Sequence, residues 1–488
     1  MRIIHTSDWH LGQYFYGKSR ADEHQKFLNW LIEQVNKEQI DAIIVAGDIF
    51  DTTTPPSYAR EIYFDFVAKL QTTDCQLIVL AGNHDSVAML SEAKSVLASL
   101  STRVITHVTP IITADNNDST IDEQSLNQQV FPLTDKADKT IAIICAVPFI
   151  RPRDVIKSTA GQSPQDKQQN LQQAICDHYN HLYEHAVRLS KRLISTSNNI
   201  NVKKIPIIAT GHLTALGVSI NDSKSDAVRD IYIGSLEAFP ADHFPPADYI
   251  ALGHIHRSQK VAKSNHIRYC GSPIALSFDE AKHPKKILIA EFASGDLVNV
   301  SESIIPCFQP LYSLTASLEQ LKDLLQATSN QFVEYLSTAE IVAKDKNTYK
   351  AWINIEVVDS QHVTDLSRRV SALVVDLPFE VLLVRRSKKI QQQDSVLLTN
   401  TQLSLSELSS VDVFESRLAE ISWDTEEEVA RKTRLMQLYK QFSNEVSALN
   451  NKQENLSEAL ATNKEHTERS THENLTSLTK KTNTKQIR

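Results

Sequence analysis

Five short motifs, far apart in the chain, carry the oxygen and imidazole side chains that bind divalent metal ions. They are Asp8-Trp9-His10, Gly47-Asp48-Ile49-Phe50-Asp51, Gly82-Asn83-His84-Asp85, Gly211-His212 and Gly253-His254-Ile255-His256. Each follows a run of residues that is typical of a β-strand. In open α/β sheets, the loops at the carboxyl ends of the strands converge on one crevice. The chain therefore requires a fold that brings these strand ends together.

Short apolar runs predict strands that are covered on both faces. They span residues 2–7, 42–46, 77–81, 141–147, 205–210, 249–252 and 286–292. Between the early runs, residues 22–37 and 57–70 have apolar side chains at helical spacing. Alternating strands and helices predict an α/β fold, a layered sandwich, over residues 1–295.

The motifs contain a set of seven candidate metal ligands. Asp48 can bridge two ions, and Gly47 before it lets the backbone approach them. Asp8 and His10 are two positions apart at the end of the first strand, and His254 and His256 are two positions apart in a second extended segment. Side chains two positions apart in an extended chain point to the same side, so both members of each pair can point into the site. The full set is Asp8, His10, Asp48, Asn83, His212, His254 and His256. Oxygen and nitrogen ligands without a thiolate favour Mn²⁺, Fe or Zn²⁺.

His84 is the best candidate for a catalytic acid, because an imidazole can protonate a leaving alkoxide near neutral pH. Either Asp51 or Asp85 could orient it by accepting a hydrogen bond from the other ring nitrogen. We favour Asp51, since Asp85 directly precedes a predicted helix over 86–97 and is in place to cap it.

Two polar stretches, 114–140 and 158–201, interrupt the alternation and are interpreted as insertions. The second contains a predicted helix over 165–193. His178, His181 and His185 lie on one face of this helix and could imitate a metal site. A solvated helix face is the favoured interpretation, because no glycine turn or strand end shapes a cavity there.

The character of the chain changes after residue 305. Residues 305–390 predict a smaller α+β domain, with helices over 317–325 and 363–377 and strands over 349–358 and 380–385. A polar linker follows over 390–410. Residues 411–449 carry apolar side chains at helical spacing, and residues 450–488 are so polar that we expect disorder.

Composition excludes a globally basic surface, because the formal net charge is -8. Any DNA contact must then come from local groups. Candidates are Tyr14, Lys18, Arg20, Arg151 and Arg153, with Arg385, Arg386, Lys388 and Lys389 in the second domain. The alternative for each cation is a solvated charge, and Tyr14 could equally be a packing residue. The five scattered cysteines, the polar start and the absence of a long apolar run predict a cytoplasmic protein without a membrane span.

The motifs, in this order, resemble the calcineurin-like metallophosphoesterase superfamily. Within it, residues 3–12, residues 47–60 and Tyr269-Cys270-Gly271-Ser272-Pro273 resemble the SbcD family, the nuclease subunits of bacterial SbcCD complexes. The resemblance implies two Mn²⁺ ions. Asp8, His10, Asp48 and His256 would hold one ion, and Asp48, Asn83, His212 and His254 the other. It also implies that His84 is catalytic and that Asp51 supports it.

The same resemblance implies a function and partners. It implies a Mn-dependent DNA nuclease, with double-strand exonuclease and single-strand or hairpin endonuclease activity, in DNA repair, recombination and replication. Residues 305–390 resemble a capping domain that guides DNA. Residues 411–449 resemble helices that bind the SMC-like ATPase SbcC, and a homodimer within a heterotetramer is expected. The chain has no Gly-x-x-x-x-Gly-Lys-[Ser/Thr] loop of its own for ATP.

Two alternatives stay open. Another metallophosphoesterase, such as a nucleotide phosphodiesterase or a protein phosphatase, would share the metal ligands. A non-catalytic scaffold would keep the fold without metal, although every ligand is present in this chain. Metal analysis and cleavage of linear duplex DNA separate the three.

Overall fold

Runs of β-branched residues form two six-stranded sheets, and helices lie against their outer faces. In the computed structural model, the strands are β1 (Arg2–Thr6), β2 (Tyr14–Phe15), β3 (Lys18–Ser19), β4 (Ala42–Ala46), β5 (Gln76–Leu80), β6 (Thr102–Ile105), β7 (Ile112–Asp115), β8 (Asp118–Ile121), β9 (Val130–Thr134), β10 (Thr140–Cys145), β11 (Ile207–His212), β12 (Tyr249–Gly253), β13 (Gln259–Lys260), β14 (Ile267–Tyr269), β15 (Lys286–Ala293), β16 (Asp296–Ile304), β17 (Leu311–Ala316), β18 (Ala351–Val357) and β19 (Phe379–Arg386). The helices are α1 (Ala21–Glu38), α2 (Ser57–Leu70), α3 (Val87–Glu92), α4 (Lys94–Ala98), α5 (Glu123–Gln129), α6 (Pro152–Val155), α7 (Pro164–Thr196), α8 (Leu318–Thr338) and α9 (Leu366–Val374), with short 3₁₀ turns at Gln71–Thr73, Ala241–His243 and Glu280–Lys282.

The structure describes a large part of the chain. The described residues are 1–108, 112–115, 118–121, 123–156, 163–196, 203–215, 238–338, 349–358, 365–387, 431, 434–436 and 438–439. They divide into one unit over Met1–Lys389 and a second over Ile390–Arg488. In the second unit the described residues are helical, in agreement with the helical prediction for 411–449 at those positions. The predicted linker 390–410 and tail 450–488 lie outside the described residues, as do Lys388 and Lys389.

The first sheet has the strand order β16-β15-β1-β4-β5-β6, and the second has the order β13-β14-β12-β11-β10-β9. In the first sheet, β1, β4, β5 and β6 are parallel. In the second sheet, β10, β11, β12 and β14 are parallel. Parallel neighbours place the carboxyl ends of their strands on one edge of each sheet. The strand predictions and the α/β class are therefore confirmed.

The core between the sheets is built from the inner faces of both. Ile44 and Ile78 of the first sheet share a buried cluster with Ile144, Ile208 and Ala251 of the second. On the outer faces, α1 and α2 cover the first sheet and α7 covers the second. Strands buried on both faces need near-continuous apolar sequence, which is why the runs do not alternate. The result is a layered sandwich of helix, sheet, sheet and helix.

The interpretation of the two polar stretches as surface insertions is wrong in part. Within 114–140, β9 pairs antiparallel with β10 at the edge of the second sheet, and Val130 and Leu133 are buried. The helix predicted over 165–193 is present as α7, but it is a core layer, with Leu182 fully buried. Polar residues on the outer face of α7 outnumber the apolar stripe and hide this role.

Two of the three histidines of α7, His178 and His185, are buried, which overturns the solvated-face interpretation for them. Their side chains contact residues of α5. His178 Nε2 lies 3.0 Å from Gln129 Oε1, and His185 Nε2 lies 3.0 Å from Asn127 Oδ1. Burial lowers the pKa of His178 to about 4, so this histidine is neutral at physiological pH. These residues join α7 to its neighbour instead of binding metal.

The smaller α+β region forms a three-stranded parallel sheet, β17-β18-β19, with α8 and α9 packed against it. The sequence predicted the strands near β18 and β19 but not β17, and α8 is longer than predicted. Phe15 of the β2–β3 hairpin stacks on Trp352 of β18 with ring centroids 5.8 Å apart. Lys18 also forms an ion pair with Glu380. The hairpin after the first motif thus contacts this region directly. Among the described helices, none is long and apolar enough to cross a membrane.

We predict that Leu182→Ala lowers the free energy of unfolding by about 2–5 kcal/mol, because it opens a cavity beneath α7. Lys191→Ala, on the exposed face of the same helix, should change it by less than about 0.5 kcal/mol. Urea denaturation followed by circular dichroism measures both. Equal effects of the two substitutions would contradict a core role for α7.

Candidate metal centre

Two groups of metal-binding side chains meet at the edge where the parallel strands of both sheets end. One group is Asp8, His10 and His256, and the other is Asp48, His212 and His254. Within each group, the potential ligand atoms all lie within 4.8 Å of one another. The first sheet supplies the two carboxylates and His10, and the second sheet supplies the other three histidines. Four separate strand ends therefore supply these six side chains.

Asp48 lies between the two groups. Its Oδ2 is 3.2 Å from His212 Nε2 and 3.7 Å from His10 Nε2. Asn83 faces the second group, with its Oδ1 3.0 Å from His212 Nε2 and 3.1 Å from His254 Nδ1. The structure thus brings together all seven residues that the sequence nominated as ligands, and it gives Asp48 the position that a shared ligand needs.

The residues fit a pair of divalent ions. His10 Nε2 is buried and has no hydrogen-bond partner in the described structure, although its other ring nitrogen is held by Asp51 Oδ1 at 3.2 Å. His212 Nδ1 is likewise held by the carbonyl of Ala46 at 2.8 Å. A carbonyl only accepts, so Nδ1 of His212 carries a proton, and Nε2 is the nitrogen left to bind an ion. Fixing one ring nitrogen to leave the other free is the usual arrangement of a metal-binding histidine.

The electrostatics of the site favour cations. Burial opposes protonation of His10, but Asp51, Asp48 and Asp8 outweigh it and raise the pKa of His10 to about 9. Burial opposes protonation of His212 as well, and Asp48 raises its pKa to about 9. Burial lowers the pKa of His254 to about 3, and positive charge on His212 adds to this effect. The carboxylates therefore favour positive charge on His10 and His212, while His254 stays neutral.

The backbone conformation of the ligands differs from the predicted alternation along a strand. β1 ends at Thr6, and Asp8 and His10 follow with φ values of +53° and +47°. Asp48 has a φ of +52° and His254 a φ of +93°. Left-handed backbone is uncommon for residues with a side chain and costs about 1–3 kcal/mol at each position. Hydrogen bonds from Asp8 N to Gly47 O, at 2.9 Å, and from His10 N to Asp48 O, at 3.1 Å, hold the first two loops together.

The motif glycines are explained by close approach to ligands. A Cβ at Gly47 would lie 2.1 Å from His212 Nδ1, and a Cβ at Gly82 would lie 2.1 Å from Asp48 Oδ1. A Cβ at Gly253 would lie 1.9 Å from the carbonyl of Ala46. The prediction that Gly47 makes room for the ions is therefore incomplete, because the atoms that need the room are those of an imidazole from the other sheet.

His84 lies beside the first group, with its ring centroid 5.0 Å from that of His10. Its Nδ1 is 2.9 Å from the backbone carbonyl of Asp51. The predicted contact from the Asp51 carboxylate is not the one observed, because that carboxylate contacts His10 instead. Nδ1 of His84 must be the protonated nitrogen toward the carbonyl, which directs Nε2 away from Asp51.

Asp85 is not the helix cap that its position suggested. Ser86 caps α3, with its Oγ accepting from Met89 N at 3.3 Å. The carboxylate of Asp85 is buried and accepts backbone hydrogen bonds from Gly82, Ile49 and Phe50 at 2.8–3.1 Å. It fastens the loop that carries Asp48 to the loop that carries His84. Burial, together with the charge on Asp48, raises the pKa of Asp85 to about 6.

The candidate DNA contacts divide into exposed and buried groups. Tyr14 is 61% exposed, and the side chain of Arg153 is 80% exposed. Arg151 is partly buried, with its guanidinium 5.7 Å from the ring of Phe149. Lys18 is partly exposed and already paired with Glu380. Arg385 and Arg386 are exposed at the end of β19.

The choice of Arg20 as a candidate DNA contact is corrected, because its side chain is buried and not available to DNA. It is 1% exposed, its Nε donates to Glu23 Oε2 at 2.7 Å, and a second nitrogen donates to the carbonyl of Ala275. A guanidinium with buried partners on each side is a structural group. The sequence contained one signal for this ion pair, an acidic residue three positions after Arg20. Arg20 directly precedes α1, and Glu23 lies in its first turn.

Sequence reasoning missed polar groups that form hydrogen bonds with the candidate metal ligands. Ser7 Oγ donates to Asp8 Oδ2, and the backbone amide of His254 donates to Asp8 Oδ1 at 3.0 Å. Glu280 Oε1 lies 3.1 Å from His256 Nδ1. Ser7 is adjacent to its ligand in sequence and could have been found, but no local pattern marks Glu280.

Comparison with known proteins agrees with this geometry. Residues 1–258 match the family described as calcineurin-like phosphoesterase, and residues 307–422 match the family described as type 5 capsule protein repressor C-terminal domain. The SbcD subunit of the nuclease SbcCD from Escherichia coli strain K12 is 46% identical over 426 residues, which cover 86% of this chain and 93% of that protein. The corresponding protein of Rhodobacter capsulatus is 32% identical over 60% of this chain and 67% of its own length, and that of Bacillus subtilis is 28% identical over 73% of this chain and 79% of its own length.

The fold and the two ligand groups therefore define a metal-dependent phosphoesterase, a hydrolase of phosphate esters. Within that class, the identity to the Escherichia coli protein extends along 86% of this chain. The chain belongs to the SbcD family, the nuclease subunits of SbcCD. The resemblance stated from the motifs is confirmed.

We predict that Gly82→Ala abolishes metal binding at both ion positions, because the new methyl group displaces the Asp48 carboxylate that both share. Gly17→Ala is the control: Gly17 has a positive φ, of +81°, so alanine strains the backbone there, but its Cβ would have no atom within 4 Å. Metal content after dialysis against excess Mn²⁺ measures both variants. Full metal content in Gly82→Ala would contradict the close approach.

Proposed function

We propose that the chain hydrolyses DNA phosphodiesters with two Mn²⁺ ions, as double-strand exonuclease and as single-strand or hairpin endonuclease. One observation carries the proposal: two groups of oxygen and nitrogen ligands lie on either side of one buried carboxylate, Asp48. A pair of ions held by a shared carboxylate is the arrangement of two-metal hydrolases. Ligands of this kind, without a thiolate, are compatible with Mn²⁺.

We assign the residues to two ion positions. Asp8, His10 and His256 would hold one ion together with Asp48, and Asn83, His212 and His254 would hold the other together with Asp48. When bound, such ions neutralise phosphate charge and activate water as the nucleophile. Asp51, Ala46 and Glu280 contact the Nδ1 atoms of three of these histidines and so fix the orientation of each ring. The histidines are His10, His212 and His256, respectively.

His84 acts on the departing oxygen. It lies beside His10, and its Nδ1–H donates to the carbonyl of Asp51, so Nε2 is the atom directed to the substrate. A cationic imidazole there transfers its Nε2 proton to the leaving alkoxide, or stabilises that charge by a hydrogen bond. Asp51 supports this through its backbone carbonyl while its carboxylate supports His10.

DNA approaches past the β2–β3 hairpin and α6. The exposed ring of Tyr14 is available to stack on a base or sugar, and Arg153 and Arg151 are available to phosphates. Lys18 must exchange Glu380 for a phosphate in order to contribute. Residues 305–390 act as the capping domain in this proposal, and their contact with the hairpin supports it.

The partner is an SbcC-like ATPase that binds residues 411–449, and the chain forms a homodimer within a heterotetramer. The related proteins are named as one subunit of the nuclease SbcCD, which supports the first part. A role in DNA repair, recombination and replication follows from that assembly. The cytoplasmic location expected from the sequence stays a prediction.

We predict that His84→Ala keeps metal and DNA binding while cleavage falls by about 10²–10⁴-fold, because only proton transfer is lost. Asp48→Ala is the contrasting variant and loses bound metal as well as activity. Metal content, DNA binding in the presence of Ca²⁺ and cleavage rate in Mn²⁺ are measured on each purified variant. Normal cleavage by His84→Ala would remove it from the mechanism.

A nuclease assay separates this function from the alternatives. Linear duplex DNA and a hairpin are incubated with the chain and Mn²⁺, with and without the ATPase partner, next to a nucleotide phosphodiester and a phosphopeptide. DNA cleavage in Mn²⁺ supports the proposal. Hydrolysis of the small substrates alone supports another phosphoesterase, and metal binding without any hydrolysis contradicts a catalytic role.

A further inference from the structure

The segment Tyr269-Cys270-Gly271-Ser272-Pro273 has no ligand in it, yet it lies against the first ligand group. Ser272 N donates to the carbonyl of His256 at 3.2 Å. Gly271 has a φ of +80°, and a Cβ there would lie 2.7 Å from the same carbonyl. Cys270 Sγ lies 3.0 Å from Ser7 Oγ, which donates to Asp8. The segment thus contacts the backbone of one ligand and the hydroxyl behind another.

Glu280 extends this support to the His256 ring. Its Oε1 lies 3.1 Å from His256 Nδ1, and its Oε2 accepts from Lys285 Nζ at 2.7 Å and from Ser272 Oγ at 3.1 Å. The backbone amide of Leu276 also donates to Oε2, at 3.1 Å. With three donors on one oxygen, the carboxylate has one orientation, and the other oxygen faces the imidazole.

Lys285 closes the network. Its Nζ also donates to Ser272 Oγ at 2.7 Å and to the carbonyl of His256 at 3.2 Å. The Lys285 ammonium and two other donors face Oε2 of Glu280, so Oε1 is the atom left to accept from the His256 ring. A hydrogen bond to Oε1 places the proton of His256 on Nδ1 and leaves Nε2 as the nitrogen that can bind an ion together with Asp8 and His10.

We propose that Glu280, held by Lys285 and Ser272, is a positioning residue that fixes the tautomer and orientation of His256 and so sets the metal affinity of the Asp8–His10–His256 group. The proposal deepens the proposed function and rests on His256 as a metal ligand there. It also predicts that loss of Glu280 weakens metal binding at only one of the two ion positions. The imidazoles of the second group have other partners, since His212 Nδ1 contacts the carbonyl of Ala46 and His254 Nδ1 contacts Asn83 Oδ1.

A merely structural role for Glu280 would give a different result. Loss of a buried ion pair weakens the whole fold, and both metal positions would then change together. A positioning role changes one position and leaves the other intact. Outer partners of metal-binding histidines typically contribute 10–100-fold in metal affinity.

The test compares Glu280→Gln with Asp279→Asn in the full chain. Both remove one negative charge, but Asp279 is 67% exposed in its side chain and pairs with Lys282 rather than with the His256 network. Mn²⁺ binding is measured by calorimetry, and electron paramagnetic resonance distinguishes a coupled ion pair from a single ion. Thermal unfolding without metal reports the integrity of the fold.

For Glu280→Gln, we expect one Mn²⁺ to bind with unchanged affinity and the other about 10–100-fold more weakly. At limiting Mn²⁺ the resonance should be that of a single ion, and excess Mn²⁺ should restore both the coupled signal and DNA cleavage. Asp279→Asn should behave as the unaltered chain.

Two unchanged affinities in Glu280→Gln would overturn the proposal, and so would an equal loss at both positions with a lowered melting temperature. These readouts need only Mn²⁺. An unaltered chain that binds two ions and leaves DNA intact would contradict the proposed nuclease function, while the comparison between the variants would still decide the role of Glu280.

Discussion

The Asp48 carboxylate is the interaction on which the rest of the site depends. Burial alone would raise its pKa, but His212, His10 and His84 hold the pKa of Asp48 well below its usual range. The chain therefore keeps a negative charge in its interior, between imidazoles that come from two different sheets. A buried charge of this kind is unfavourable unless it is paired and hydrogen-bonded. Here histidines and the backbone amide of His84, at 2.9 Å, provide the pairing before any ion arrives.

Backbone strain at the ligands follows from the same requirement. Asp8, His10, Asp48 and His254 adopt left-handed conformations, so the chain leaves the strand direction where it carries these ligands. Interlocking hydrogen bonds between the first two loops, and the three amides that donate to Asp85, keep these conformations in place. The strain is thus part of how one compact site collects ligands from loops that are distant in sequence.

Local sequence determined the strands and the direct ligands, because both depend on residues close together in the chain. Short apolar runs such as 42–46 favour strands buried on two faces, and Gly-Asn-His-Asp after such a run indicated a binding loop. The partners of the ligands and of the candidate DNA contacts depend on tertiary packing and could not be predicted. The Asp51 carboxylate contacts His10 rather than His84, and Arg20 is buried between Glu23 and Ala275. The α7 histidines show the same limit, since their burial depends on α5, about 50 residues away.

Side-chain contacts join the two sheets along a line that we call the seam. The geometry of the site depends on these contacts as well as on the ligands themselves. His5 of β1 lies inside the sandwich, with its ring nitrogens 2.9 Å from the hydroxyl of Tyr249 and 3.1 Å from the carbonyl of Leu252. Burial lowers the pKa of His5 to about 3, so it is a neutral link between the sheets. His212 crosses the same seam to Ala46. Since the first sheet carries four of the seven candidate ligands and the second carries three, these crossings set how the ligands of one sheet face those of the other. Any shift of one sheet over the other would move three histidines relative to Asp48, so the packing of the core is itself a determinant of metal geometry.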